Sequence, residues 1–306
     1  MGVIIDTLLN SVLPVALIFV IGLVMGRRHV FGNPEAESLF KFIARISAPA
    51  IIINIIITTD MASTDLRLAS LYIVSELIVY AASFWLCRLL FDLDFKNALL
   101  CGLAASFANH VLFVYPITQF AFAPEMSLPV RSIITIDVIL FIITVVILDI
   151  HSNPTKALWR AIGSQIKNPL FAALIIGIAI YMNPFGTPLA VIRSASFIAD
   201  TAAPCGLFAS GILLSRGFST TSLKLAGLIT GLKMLLHPLL GFLIIVYFGG
   251  YAIEAARTTL MVTVAPVGIM ALTFASRYNG ETQAIAQAIL WSFFLSVLFI
   301  PILATF

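Results

Sequence analysis

The residues with the clearest chemical potential interrupt a long apolar segment. Asn109, His110 and Pro116 stand in "SFANHVLFVYP" (106–116). A proline inside a helix frees a backbone carbonyl about one turn earlier. The Asn109 amide can satisfy such backbone or hold a ligand, and His110 can exchange a proton near neutral pH. The pattern predicts a broken helix with a polar site, the alternative being a packing kink beside an ordinary interior histidine.

A second break is predicted at "APVGIM" (265–270). Two helix N-termini directed at one point would supply partial positive charge and free N–H groups, which suit an anion. The residues predicted to bind a ligand at the two breaks are Asn109, His110, Pro116, Pro266, Val267 and Gly268.

Several other polar side chains fall in apolar segments, where a charge is costly and is a functional candidate by default. Lys233 and His237 lie four residues apart, so they share one helix face, and we predict that they contact the anion. Candidates for coupling to a proton or ion are Glu76, Asp137, Ser106 and Thr263. Arg45 and Asp200 are predicted to form a structural pair that neutralises buried charge, with a functional role as the alternative.

The overall composition predicts a polytopic membrane protein. The 306 residues are 61% hydrophobic and 10% charged, with a mean hydropathy of +1.10, whereas soluble domains carry about 25% charged residues. A membrane-spanning helix needs about 20 apolar residues, and the runs do not alternate as barrel strands would. Ten spans are predicted, at roughly 4–26, 36–57, 67–91, 97–122, 130–150, 167–183, 188–214, 224–248, 254–276 and 283–304.

The distribution of basic residues predicts the orientation. With the N-terminus outside, the cytoplasmic connections hold eleven of the 17 Lys and Arg residues and the outer connections hold four. This bias favours both termini outside, in an inner or plasma membrane. The first span lacks a basic start and a cleavage site, so we expect it to be retained.

Enzymatic and metal-dependent functions are not indicated. Cys87, Cys101 and Cys205 lie in apolar stretches without paired spacing, so neither a disulfide framework nor a zinc site is predicted. An intramembrane hydrolase would need a nucleophile with a base, but "FASGIL" (208–213) has no placed histidine, and H-E-x-x-H is missing. We predict no catalytic residue, no cofactor, no metal and no nucleic-acid partner.

The sequence contains an internal repeat. "KFIARISAPA" (41–50) and "SFIADTAAPC" (196–205) share five of ten residues at an offset of 155, and "LAASFAN" (103–109) aligns with "LMVTVAP" (260–266) at an offset of 157. Each half holds five spans, so the second half would enter the bilayer from the opposite side. An inverted 5+5 repeat, with halves 1–150 and 151–306, is the architecture of many secondary transporters.

With these features the sequence resembles the auxin efflux carrier family, which is related to the bile acid–sodium symporter fold. The resemblance is carried by Asn109 and Pro116, by "APVGIMALTFASRY" (265–278), by "NPLFAALIIGI" (168–178) and by "LKMLLHPLL" (232–240). It implies an all-α membrane fold with a scaffold of spans one, two, six and seven. Spans three to five and eight to ten would form a transport domain, in which the broken spans four and nine cross at the substrate site.

The resemblance also implies organic anions as substrates and a homodimer formed through the scaffold. Family members often have Asn-Thr-Gly at the break, whereas His110 and Val111 follow Asn109 here, so auxin specificity is not carried over. We predict a carrier of a small mono- or dicarboxylate, malonate-, malate- or auxin-like, that works by elevator-type alternating access and is either proton-coupled or a uniporter. The alternatives are a sodium-coupled symporter and a membrane sensor without transport.

Overall fold

The computed structural model describes residues 2–59, 64–152, 163, 168–216 and 222–305. The connection between the two predicted repeats, at 153–162 and 164–167, lies outside these residues. The described helices are α1 Gly2–Arg27, α2 Asn33–Thr58, α3 Leu66–Phe91, α4 Phe95–Ser106, α5 110–121, α6 Pro124–His151, α7 Pro169–Tyr181, α8 Leu189–Leu213, α9 Leu223–Phe248, α10 Ile253–Thr263, α11 Ile269–Arg277 and α12 Gln283–Leu303.

The prediction of an all-helical membrane fold is confirmed. Within the described ranges, seven helices are long and apolar enough to cross a bilayer: α1, α2, α3, α6, α8, α9 and α12. The apolar helix α7 has 13 described residues. The pairs α4–α5 and α10–α11 occupy predicted spans four and nine, and each pair is interrupted in its middle. The count of ten spans stays a prediction.

Local sequence explains where the helices begin and end. Asp65 caps α3 by accepting a hydrogen bond from the Leu68 N–H at 2.9 Å, and Asp94 caps α4 by accepting from the Asn97 N–H at 2.8 Å. Such caps satisfy helix donors that have no partner within the helix. Between them, Asp92 ends α3 in the left-handed conformation, with φ 51°, so a short polar turn joins α3 to α4.

Widened helical turns accommodate prolines within the long helices. The turns Leu8–Val12, Ile43–Ser47, His110–Val114 and Leu232–Leu236 are π-helical and end two residues before Pro14, Pro49, Pro116 and Pro238. A proline ring clashes with the carbonyl four residues earlier in an α-helix, and an i→i+5 turn moves that carbonyl away. Pro116 therefore lies inside the continuous segment 110–121, and the interruption predicted around it occurs at 107–109.

The chain forms two compact units that do not coincide with the two repeats. The first unit comprises Met1–Leu17, Asp65–Ile133 and Arg216–Phe306, and the second comprises Ile18–Thr64 and Ile134–Ser215. Each unit thus contains helices from both halves of the sequence. Most of predicted span five falls in the second unit, although we expected it in the transport domain, and the division into scaffold and transport helices stays a prediction.

Glycines bring two helices of the second unit into backbone contact. A Cβ added at Gly22 of α1 would meet the Phe208 carbonyl of α8, and a Cβ at Gly211 of α8 would meet the Phe19 carbonyl of α1. Each helix therefore places a glycine against the backbone of the other, and any larger residue would separate them.

The predicted pair Arg45 and Asp200 does not form. Both residues are described, both are exposed, and no ion pair joins them. The polar link at this level is a hydrogen bond of 2.7 Å between the Ser47 and Thr201 hydroxyls. Sequence symmetry placed opposite charges at equivalent positions, but the helix rotation turns both side chains outward.

Candidate functional site

The two interrupted helices meet at their breaks. Ala108 and Val267 form an antiparallel bridge. On either side of it, the Asn109 N–H donates to the Pro266 carbonyl at 2.8 Å, and the Gly268 N–H donates to the Phe107 carbonyl at 2.9 Å. Because lipid offers no hydrogen bonds, non-helical backbone at this depth must be satisfied by protein. We call residues 107–109 with 264–268 the helix crossing.

Gly268 allows the two breaks to approach this closely. A Cβ at this position would lie 2.7 Å from Cδ1 of Phe107 and 3.1 Å from its carbonyl oxygen. Its φ of −67° is open to any residue, so close approach, and not backbone conformation, explains the glycine.

Two serines of α12 hold the second break in place. The Ser292 hydroxyl accepts from the Val267 N–H at 3.0 Å, and the Ser296 hydroxyl donates to the Val264 carbonyl at 2.6 Å. Both side chains are fully buried. They were not among the predicted site residues, although two serines four residues apart in a largely apolar helix are a recognisable pattern of one polar face.

Replacing Ser292 with alanine should lower the free energy of unfolding by about 1–3 kcal/mol, because the buried Val267 N–H loses its partner. Unfolding in detergent micelles measures this change. Ser276→Ala, at an exposed position on α11, is the matched control and should leave the unfolding free energy within about 0.5 kcal/mol. Equal stabilities of the two variants would show that Ser292 does not support the crossing.

His110 and Asn109 begin α5 directly at the crossing. His110 is 1% exposed, its Nδ1 lies 2.8 Å from the Ala108 carbonyl, and its ring contacts that of Phe107. A carbonyl can only accept, so Nδ1 carries the hydrogen, and in the neutral form of the ring Nε2 is then an acceptor. Asn109 is 8% exposed, and its side-chain amide makes no hydrogen bond to any described residue, which leaves this amide for a ligand.

Lys233 places a positive charge beside the crossing. Its side chain is fully buried, and Nζ donates to the Ser106 carbonyl at 3.2 Å and to Nδ1 of His237 at 3.0 Å. Ser106 is the last residue of α4, whose C-terminal end carries partial negative charge. The helix end stabilises a cation that lipid would otherwise disfavour.

Glu76 lies along the same pair of helices as Lys233. The Tyr72 ring of α3 contacts the His237 ring of α9, with centroids 5.6 Å apart. Arg67, near the start of α3, donates to the Gly249 carbonyl just after α9, so the two helices run antiparallel. Glu76 lies one turn after Tyr72 on α3, and Lys233 lies one turn before His237 on α9. Because the helices are antiparallel, both residues lie on the same side of the Tyr72–His237 contact, and both are fully buried.

Of the other predicted site residues, two lie at the edge of the helix crossing and two lie away from it. Ser106 ends α4 and Thr263 ends α10, both fully buried at the edge of the crossing, and the Thr263 hydroxyl donates to the Leu260 carbonyl. Pro116 lies two turns into α5. Asp137 is buried in α6 but belongs to the second unit, so the structure does not place it among the residues of the first. Within the described ranges no group of three or more His, Cys, Asp or Glu side chains is arranged for a metal ion.

Comparison with known proteins identifies the family. The profile of the family described as "Membrane transport protein" matches residues 7–304. A proposed malonate transporter of Rhizobium meliloti (strain 1021) is 23% identical over 278 residues, covering 85% of this chain and 83% of that protein. An uncharacterized transporter of Methanothermobacter thermautotrophicus (strain Delta H) is 22% identical over 299 residues, covering 96% of each chain.

The fold also has a match among solved structures. The sodium proton antiporter MjNhaP1 from Methanocaldococcus jannaschii, at pH 8, aligns with a TM-score of 0.52 and 16% identity, covering 95% of this chain and 90% of that one. This likeness concerns the fold alone. The profile spans nearly the whole chain and agrees with the resemblance drawn from the motifs, so the protein belongs to the membrane transport protein family, that of the auxin efflux carriers, and is a membrane transporter.

Proposed function

We propose that this transporter carries a small dicarboxylate such as malonate and binds it at the helix crossing. The observation that carries the proposal is the buried Lys233 ammonium beside the two breaks. A cation kept inside a membrane protein marks a substrate or ion pathway by default, and a carboxylate is its natural counter-ion. The relative named as a malonate transporter supports the choice of a dicarboxylate.

The backbone around the crossing favours an anion as well. Both α5 and α11 begin there, and a helix N-terminus carries partial positive charge and N–H groups without helical partners. The Asn109 amide can donate to a carboxylate oxygen. This role is supported by the fact that the amide makes no hydrogen bond to any described residue. We assign Asn109, Lys233 and the two helix N-termini to the carboxylates, with His110 and His237 lining the same region.

Coupling is proposed to involve a proton carried between Glu76 and the Lys233–His237 pair. The burial and the position of these three side chains support the proposal, because the antiparallel helices α3 and α9 bring a carboxylate and two bases to neighbouring turns. A buried carboxylate and a buried amine both change protonation readily when their surroundings change. The alternative is a sodium-coupled symporter, and the liposome assay described below distinguishes the two.

Alternating access is proposed to follow the elevator scheme, in a homodimer with both termini outside the cell membrane. The support is that both breaks, Lys233 and the serines of α12 belong to one compact unit. An elevator requires a site that moves as one body, and a site assembled within a single unit meets this requirement.

The test is transport by purified protein in liposomes. Labelled malonate should enter saturably, faster with an inward proton gradient and without dependence on sodium, and auxin should be a poor competitor. Asn109→Ala should lower kcat/KM at least about tenfold, since a hydrogen bond to a charged group contributes about 1.5–3 kcal/mol. Asn10→Ala, exposed on α1 in the same unit, should match wild type. Correctly folded protein that moves no dicarboxylate would refute the proposal.

A further inference from the structure

Each pair of half-helices carries a basic residue at the end far from the crossing, and the two basic residues are used differently. Lys96, at the start of α4, donates to the Tyr278 and Asn279 carbonyls after α11, at 3.1 and 3.0 Å. In the second repeat, Arg257 of α10 lies over the ring of Phe122, the residue that follows α5, at 5.7 Å from its centroid. Phe122 and Asn279 are equivalent at the offset of 157 residues.

The donors of Lys96 are therefore occupied, whereas those of Arg257 are not. Arg257 is half-buried, its Nε is buried without a hydrogen-bond partner, and among the described residues its guanidinium makes no hydrogen bond or ion pair. Glu254, three residues before Arg257, and Glu125, three residues after Phe122, are exposed and do not pair with it. A stacked guanidinium with free donors is held in orientation by the ring and keeps its planar fork for another group.

A second guanidinium, that of Arg131, interacts with α5. Arg131, at the start of α6, lies in electrostatic contact with the Tyr115 side chain of α5. Tyr115, Phe122, Arg131 and Arg257 all belong to the first unit. Guanidinium groups thus lie beside the middle of α5 and beside its C-terminal end.

The position of Arg257 along α10 relates it to the crossing. It lies six residues before Thr263, the last residue of α10, which corresponds to about 9 Å of helix at 1.5 Å per residue. Both α5 and α10 extend from the crossing toward the same side, which the charge distribution predicts to be the outer side. An anion held at Arg257 would therefore lie between bulk water and the crossing.

We propose that Arg257 is a binding residue for the carboxylate substrate on the α5–α10 side, where its guanidinium receives the anion before it reaches the crossing. Arginine forms paired hydrogen bonds with a carboxylate, which lysine cannot reproduce. This inference rests on the proposed function, because it names a further residue on the path of the same organic anion. It also accounts for the contrast with Lys96, which ties the start of α4 to the end of α11.

The first measurement is malonate transport in liposomes with substrate added to one side at a time. Arg257→Gln should raise the KM for uptake from the outer side about tenfold and change the kcat of uptake less than about twofold. Arg257→Lys should give an intermediate KM, and the difference from wild type should shrink at high salt. Arg277→Gln, whose guanidinium also lies over a ring but at the end of α11, is the matched control and should keep the wild-type KM from either side.

A second measurement needs no transported substrate. Ala123, exposed beside Phe122, is replaced with cysteine in a Cys205→Ser background, and its rates of reaction with an anionic and a cationic methanethiosulfonate are compared. The ratio of the two rates should fall about threefold or more when Arg257→Gln is added.

The two measurements separate the possible failures. Wild-type protein that carries no dicarboxylate refutes the proposed function, and the reagent ratio then decides whether Arg257 attracts anions. An unchanged ratio overturns the inference about Arg257. So does wild-type transport in which Arg257→Gln leaves the outer KM unchanged or lowers kcat and the melting temperature together, as a merely structural residue would.

Discussion

Lys233→Met is expected to reduce malonate transport at least about 100-fold while the protein still folds. The ammonium supplies the buried positive charge of the crossing, and removing a hydrogen-bonded charge from a site of low dielectric costs about 3 kcal/mol or more of binding energy. Methionine has a similar length and fills the space without a charge. Uptake by reconstituted protein at malonate concentrations well below KM, where the rate reports kcat/KM, measures the effect.

The fold should survive because a buried charge contributes little net stability once its desolvation is counted. The Ser106 carbonyl and Nδ1 of His237 lose their donor in this variant, so we expect a modest fall in melting temperature and an unchanged elution volume in size exclusion. Lys224→Met removes an exposed lysine from the same helix and should retain wild-type transport. If Lys233→Met transports malonate within threefold of wild type, the charge is not part of the site.

Gly211→Ala is expected to destabilise the second unit by about 3 kcal/mol, which corresponds to a melting temperature lower by about 5–10 °C. The added methyl group would meet the Phe19 carbonyl and lie 2.6 Å from the Leu23 nitrogen. Both are backbone atoms of α1, so only a separation of the two helices can relieve the overlap. Thermal unfolding followed by tryptophan fluorescence in detergent measures the change.

The control for Gly211→Ala is a glycine substitution that should raise the stability instead of lowering it. Gly231 also lies in a helix, but a Cβ there would have no neighbour within 4 Å. Gly231→Ala should therefore stabilise the protein by up to about 1 kcal/mol through helix propensity alone. If both variants shift the melting temperature in the same direction, backbone flexibility and not helix contact explains Gly211.

The properties that the sequence predicted correctly depend on neighbours along the chain. Composition alone indicates a membrane protein, because too few polar residues exist to cover a surface in water. The spacing of four between Lys233 and His237 places them on one helix face, and the structure shows them in contact. The motifs from Asn109 to Tyr278 indicated the family because their order along the chain needs no tertiary information.

Only the tertiary structure decided which distant groups meet. The bridge between Ala108 and Val267 joins residues 159 positions apart, and one sequence carries no record of the rotation and depth of two helices that pack. Because the rotation of each helix is not recorded in the sequence, Arg45 and Asp200 were paired incorrectly and Ser292 was missed. The tertiary structure also explains Pro116, because a proline that would break an isolated α-helix is accommodated by a widened turn that tertiary packing stabilises.

The contrast between Lys96 and Arg257 shows the same division. Each is simply a basic residue near the start of a half-helix in the sequence. Carbonyl groups of Tyr278 and Asn279, more than 180 residues away, accept hydrogen bonds from Lys96, whereas among the described residues Arg257 lies over the ring of Phe122 and makes no hydrogen bond. A hydrogen bond requires both partners within about 3 Å, and that proximity is a property of the folded chain, so the function of each cation was decided by packing.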